Sequence, residues 1–210
     1  MVSIQPPPKY TEKAKPETEC SEPQRRIETA VTAILKAVGE DPSREGLLKT
    51  PTRVSKMYEE LLSGYRTNAA ELLNGALFDA DYDEMVVVSG IEFHSLCEHH
   101  MLPFSGHASV GYLPGHKVVG LSKIPRIVDM YARRFQVQER MTKQIAETIV
   151  SLVQPRGVGV IVRGSHMCSV MRGVKKQDSD MLTSSMLGDF KSNPATREEF
   201  LTHVRNSGNA

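Results

Sequence analysis

The sequence predicts an α+β fold in which a block of helices precedes a mainly antiparallel sheet. Two observations carry that reading. Up to about residue 73 the apolar residues recur at helical spacing. From Glu84 onward they alternate in extended runs joined by turns too short for parallel crossovers.

The elements follow in order. Residues 1–22 hold Pro6 to Pro8, scattered Lys and Glu and little that could enter a core, and read as a disordered arm. Ile27, Val31, Ile34, Leu35 and Val38 then mark an amphipathic helix over 23–38, stopped by Gly39. Thr50 before Pro51 starts a second helix, striped by Val54, Met57, Tyr58, Leu61 and Leu62 and ended by Gly64. A short third helix fits 69–73. The stretch 23–83 is accordingly an N-terminal helical region, and 84–210 carries the sheet. MVVVSGIEF and FSGHASVGYLP read as strands, Pro114-Gly115 as a turn and HKVVGL as a third short strand. Helices open at Ser122 and over 138–153. GVGVIVRG is a buried strand, MCSVMRGV another, MLTSSMLG a strand or extended loop, and Asn193-Pro194 begins the last helix.

Composition excludes several function classes. The chain has 210 residues, with 26 Lys+Arg against 25 Asp+Glu, so no global field draws it to nucleic acid or an anionic membrane. A polyanion must meet a local cluster instead. No apolar run reaches the ~20 residues needed to span a bilayer, and the N-terminus has no hydrophobic signal core. The compartment expected is the cytoplasm. There, the three cysteines Cys20, Cys97 and Cys168 read as metal ligands, nucleophiles or core filler. Trp is absent and aromatics are 6%, which argues against a base-stacking platform.

The densest polar constellation is Cys97-Glu98-His99-His100, with His94 and His107 on either side. C-x-x-H spacing lets a thiolate and an imidazole converge on one ion from a tight turn. His166-Met167-Cys168 lies far along the chain, and residues two apart on a strand share a face. If the segments meet, Cys97, His100 and Cys168 offer two sulfurs and one nitrogen to Zn²⁺ and leave a tetrahedral position for water. His99 and His166 are then spare imidazoles suited to proton transfer. The same residues fit a closed structural site with His99 or His166 as fourth ligand, and Cys168 alone fits a small core residue. Glu98 reads either as a partner orienting a ligand or as a solvated charge. Ser122, Lys123 and Arg126 sit at a helix start, where backbone N–H groups favour an anion, although two basic residues there are also ordinary surface charge. Arg172 and Lys175-Lys176 could join that cluster. Gln138-Glu139 opens a helix, where a carboxylate can accept from guanine N1–H and its exocyclic amine or simply answer the helix dipole.

Taken together, GIEFHSLCEHHMLPFSGHASVGYLPGHKVVGLSKIPRIVDMYARRFQVQERMTKQIAETI, SHMCSVMRGV and SMLGDFKSNPATREEFL closely resemble GTP cyclohydrolase I of the zinc-dependent type, over about Pro23 to Val204. The resemblance implies zinc on Cys97, His100 and Cys168, with His99 and His166 as the catalytic histidines. It implies guanine at Gln138 and Glu139, and ribose and triphosphate at Ser122, Lys123, Arg126 and Arg172, with Arg53 near the phosphates. The fold it implies is the tunnelling fold, a four-stranded antiparallel sheet with helices on one face, assembled as a toroidal decamer with sites between subunits. The reaction it implies turns GTP and water into 7,8-dihydroneopterin triphosphate and formate, the first step of pterin and tetrahydrofolate synthesis. Two departures stand out: Cys20 matches no ligand position, and Ser169 is smaller and more polar than the bulky residue expected beside Cys168. A non-catalytic GTP- or pterin-binding regulator of the same fold has no physical need for both spare histidines. A nitrile-reducing relative would need a free thiol and a dinucleotide fingerprint. A zinc-stabilised nucleic-acid binder would need a basic stripe.

Overall fold

The structure is a computed structural model that describes residues 21–79 and 81–208. The arm expected over 1–22, Cys20 included, falls almost wholly outside them. The chain divides into two compact units after Met57.

The first unit contains α1 (Glu22–Ala37) and the first two turns of α2 (Thr50–Leu61). Ser21 caps α1 in a capping box with Gln24, and Pro23 sits where the first turn has no N–H to lose. The apolar stripe read from the sequence is present, yet no α1 residue is buried. Ser55, on α2, is buried and donates to the Gln24 carbonyl at 3.3 Å.

The second unit is built on a five-stranded sheet in the order β5-β2-β3-β6-β7. Its strands are β2 (Val86–Cys97), β3 (Pro103–Leu113), β5 (Phe135–Gln136), β6 (Gly157–His166) and β7 (Asp180–Gly188). The pairs β2–β3, β3–β6 and β6–β7 are antiparallel, and of these only β2 and β3 are joined by a short reversing turn. The fifth strand corrects the four-stranded expectation: two-residue β5 pairs in parallel with the end of β2, Leu96 opposite Phe135 and Cys97 opposite Gln136. A separate two-stranded sheet pairs β1 (Leu77–Asp79) with β4 (Lys117–Val119).

Helices cover both faces, which corrects the one-face expectation. On one face α4 (Lys123–Ala132) and α5 (Gln138–Val153) bury Ile127, Val128, Met141, Ile145 and Ile149 against Phe93, Ala108, Val110, Tyr112, Val160 and Val162. On the other, Phe190 of α7 (Asp189–Ser192) and Phe200 of α8 (Pro194–Asn206) pack with Ile161 and Leu113. Those rings sit on bare backbone. Gly111 and Gly159 are cross-strand partners, and a Cβ on either would come within 2.5–2.8 Å of a Phe190 or Phe200 ring atom.

One further expectation changes and one holds. MCSVMRGV is not a strand: β6 ends at His166 and the chain turns at once into the single-turn α6 (Met167–Val170). The short α3 (Ala69–Leu73) forms as read, capped by Asn68.

Candidate functional site

The site gathers where β2, β6 and β5 end together. Cys97 is the last residue of β2 and is buried, its strand end held by β5. That edge is itself braced. Arg134 donates to the Gly64 and Met130 carbonyls at 3.1 and 3.0 Å, and the Phe135 N–H donates to the Tyr65 hydroxyl at 3.2 Å. The chain then reverses tightly: the Cys97 N–H donates to Leu102 O at 2.8 Å, and Met101, at a left-handed φ of 55°, returns its N–H to Cys97 O at 2.8 Å. Glu98 closes the turn from outside, its N–H on Gln136 O at 3.1 Å and its carboxylate paired with Arg140 of α5. That guanidinium holds the Glu98 carboxyl below its ordinary value. Arg140 also donates to Gln136 Oε1 at 3.1 Å, so α5, β5 and the turn form one braced corner.

The turn faces α6. Cys97 Sγ lies 3.9 Å from Cys168 Sγ and 3.9 Å from His100 Nδ1, and one ligand atom from each of these three residues falls within 4.8 Å of the others. Tetrahedral zinc with sulfurs at about 2.3 Å would separate two of them by roughly 3.8 Å, so the donor set fits a small thiophilic cation. Among the described residues this is the only group of three or more such side chains so disposed. The trio meets although its spacing argument assumed a continuous strand: Cys168 reaches the turn from a helix. Burial and the Cys97 sulfur push the Cys168 thiol up, with Arg172 opposing them. A bound cation reverses such a shift.

The two spare imidazoles differ in setting. His99 is exposed, its Nδ1 3.9 Å from Cys97 Sγ. His166 is half-buried, stacked on Phe104 with ring centroids 4.5 Å apart and planes 3° from parallel. Burial lowers the His166 pKa from the ordinary 6.5, and Glu139 partly offsets it. His166 Nε2 lies 2.9 Å from Oε1 of Gln138, which opens α5 and is 1% exposed. Glu139, next along, is exposed.

The remaining residues read from the sequence fall elsewhere. Arg172 lies with the trio, its guanidinium 2.5 Å from His100 Nε2. It joins desolvation, the larger effect, in holding the His100 pKa below 6.5. Ser122 is the N-cap residue of α4, although its hydroxyl makes no capping bond. Lys123 is 9% exposed and donates to Leu72 O at 2.8 Å. With Arg126 it lines a cavity of about 360 Å³ that also takes in Arg66, Asn68 and Glu71 and none of the Cys97–His100–Cys168 trio. Arg53 is exposed on α2 in the first unit. Sequence reading missed Phe104, Arg140 and Thr183. Each acts through contacts 40 or more residues away, and no local pattern marks them.

The family model described as GTP cyclohydrolase I matches residues 27–205, a span that contains every residue of this site. The chain belongs to the GTP cyclohydrolase I family. It is 55% identical over 179 residues to the GTP cyclohydrolase 1 of Leptospira biflexa, covering 85% of this chain and 98% of that protein. It is 58% identical over 172 residues to the enzyme of that name from Gloeobacter violaceus, covering 82% of this chain and 80% of that one. The rat protein, also named GTP cyclohydrolase 1, is 52% identical over 179 residues, covering 85% of this chain and 74% of its own length. The match to the family thus runs through both units.

Proposed function

We propose that the chain is a GTP cyclohydrolase I, converting GTP and one net water into 7,8-dihydroneopterin triphosphate and formate at the head of pterin and tetrahydrofolate synthesis. The observation that carries this is the family match over 27–205 together with the convergence of Cys97, His100 and Cys168. Cys97, His100 and Cys168 hold Zn²⁺ in this reading, a role supported by their sulfur-rich donor set and spacing. When bound, the ion supplies Lewis acidity that brings the pKa of water toward about 7, so hydroxide is available at neutral pH.

The chain's own residues do the rest. His166 and His99 move protons as hydroxide adds at guanine C8, the C8–N9 bond breaks and a formamide results. A second addition of water releases formate. The opened ribose then rearranges and closes the new ring with loss of one water, which leaves one water consumed overall. Glu139, with Gln138 beside it at the start of α5, faces the base, its carboxylate accepting from N1–H and the exocyclic amine. Lys123, Arg126, Arg172 and Arg53, with Ser122, offset the triphosphate charge and hold the ribose. Because Lys123 and Arg126 line a cavity apart from the zinc trio, we assign the complete pocket to neighbouring subunits of a toroidal decamer. The exposed Ile34 and Val38 of α1 and, among the described residues, the unpaired outer edge of β7 support such an assembly. Family membership supports the tunnelling fold, and cysteine usage supports a cytoplasmic setting. Among the described residues, no helix is long and apolar enough to cross a membrane.

The test is incubation of zinc-loaded protein with GTP, scoring formate together with the fluorescence of oxidised pterin. Both signals are expected, and both are lost with a chelator. A folded, zinc-containing oligomer that gives neither would overturn the proposal.

A further inference from the structure

We infer that Gln138 is a positioning residue for His166, fixing the ring so that its Nδ1, and never its Nε2, faces the reacting atoms. The inference rests on the proposed activity for its kinetic meaning, but its geometry stands without it.

The orientation of the Gln138 amide is settled by what surrounds it. Its Nε2 lies 3.0 Å from Val162 O and 2.9 Å from Met181 O, two backbone carbonyls that can only accept. It also lies 3.1 Å from Thr183 Oγ1, whose hydroxyl is itself paired with Thr142 Oγ1 at 2.7 Å. The NH₂ end therefore points at β6 and β7, and Oε1 is left facing His166 Nε2 at 2.9 Å. A carbonyl oxygen cannot donate, so the hydrogen in that bond belongs to His166. In the neutral ring Nε2 carries the proton and Nδ1 carries the lone pair.

Nothing around the pair lets it turn. Gln138 is 1% exposed. Phe104 is the cross-strand partner of His166 and stacks flat on its ring, and Phe93 packs edge-on to Phe104 with centroids 5.8 Å apart. Gly164 keeps the passage between Gln138 and the strand open, since a Cβ there would lie 2.7 Å from Gln138 Oε1. The Nε2–H is thereby held on Gln138, and Nδ1 is the ring nitrogen that this bond leaves over. The NH₂ end of the amide has no hydrogen left over for the base.

The kinetic test is Gln138→Met, close to the same volume with neither donor nor acceptor, assayed as the zinc-loaded protein. We expect kcat to fall on the order of 10²-fold with KM for GTP unchanged, as befits a disoriented proton carrier. A raised KM with kcat retained would mean that the side chain binds substrate, and the inference fails. The second test needs no variant and no turnover: neutron diffraction from alkaline crystals of the zinc-loaded wild type. A deuteron on Nε2 directed at Gln138 Oε1 is required, and a deuteron on Nδ1 alone refutes the inference even if Gln138→Met does not fold. Wild-type protein that releases no formate while carrying the Nε2 deuteron would sink the proposed activity and leave the positioning role standing.

Discussion

The two imidazoles beside the Cys97–His100–Cys168 cluster are built into the protein in opposite ways. His166 ends a central strand, lies half-buried, stacks on Phe104 and bonds to a buried amide that is anchored to β6 and β7. His99 stands exposed on a reversing turn, with the Cys97 sulfur 3.9 Å from its Nδ1 and the His100 ring tilted 77° to it. Fixing one histidine takes partners from α5, β3 and β7, whereas leaving the other free takes only a turn. The comparison teaches that two residues with one shared chemistry need not share one constraint, and that the constraint is written in distant residues.

The comparison breaks most completely where both rings lose their common neighbour. Cys168→Ala removes one of two sulfurs, and we expect zinc content and formate release both to be abolished while the subunits still assemble. Metal analysis and sedimentation of the same sample check this. A finer break touches the fixed ring alone. Gly164→Ala pushes a methyl against Gln138 Oε1, and we expect kcat to fall about tenfold with zinc content unchanged, a loss of roughly 1.4 kcal/mol in transition-state binding. Phe104→Leu removes the stacked face instead. We expect about 1 kcal/mol less stability in urea unfolding, because the ring is fully buried between Phe93 and His166 and leucine fills most of its space.

The smallest effect supplies a control that belongs to neither histidine. In the first unit the hydroxyl and N–H of Ser43 donate to the Asp41 carboxylate, which holds its pKa below the ordinary 3.8. A depressed carboxylate stabilises the fold above its unfolded value and ceases to do so as pH falls through its folded value. Urea midpoints of wild type and Asp41→Asn should therefore differ at about pH 6 and draw together as pH falls below 3.8 and through the depressed folded value, whatever is done to His99 or His166.

Local physics made much of this legible. The apolar stripe and the glycine stop place α1 to within a residue of where it forms, with Ser21 as its cap and Pro23 in its first turn, and α3 and α5 fall as read. The Cys97–His100–Cys168 trio is legible because C-x-x-H is a local pattern and the two-apart spacing of His166 and Cys168 offers a third ligand, a set the family resemblance also implies. The failures share a cause. MCSVMRGV alternates like a strand, yet β6 ends at His166 because the chain must turn there to bring Cys168 back to Cys97. The strand β5 is two residues long and is braced by distant groups, its Phe135 N–H on the Tyr65 hydroxyl and its Gln136 carbonyl on the Glu98 N–H. At the first position of a helix Gln138 looks like a solvated polar residue. Its partners lie 24 to 45 positions away, so only the fold reveals that it is buried.

The glycine pair beneath Phe190 and Phe200 bears on how the chain opens. At Gly111 and Gly159 the β3–β6 ladder has no side chain of its own to keep water off, and the two rings cover it on that face. If α8 lifts, solvent reaches the main-chain amides there before the opposite face, covered by α5, has loosened at all. Deuterium uptake at 110–112 and 158–160 would then time the undocking of the last helix and leave the metal corner silent.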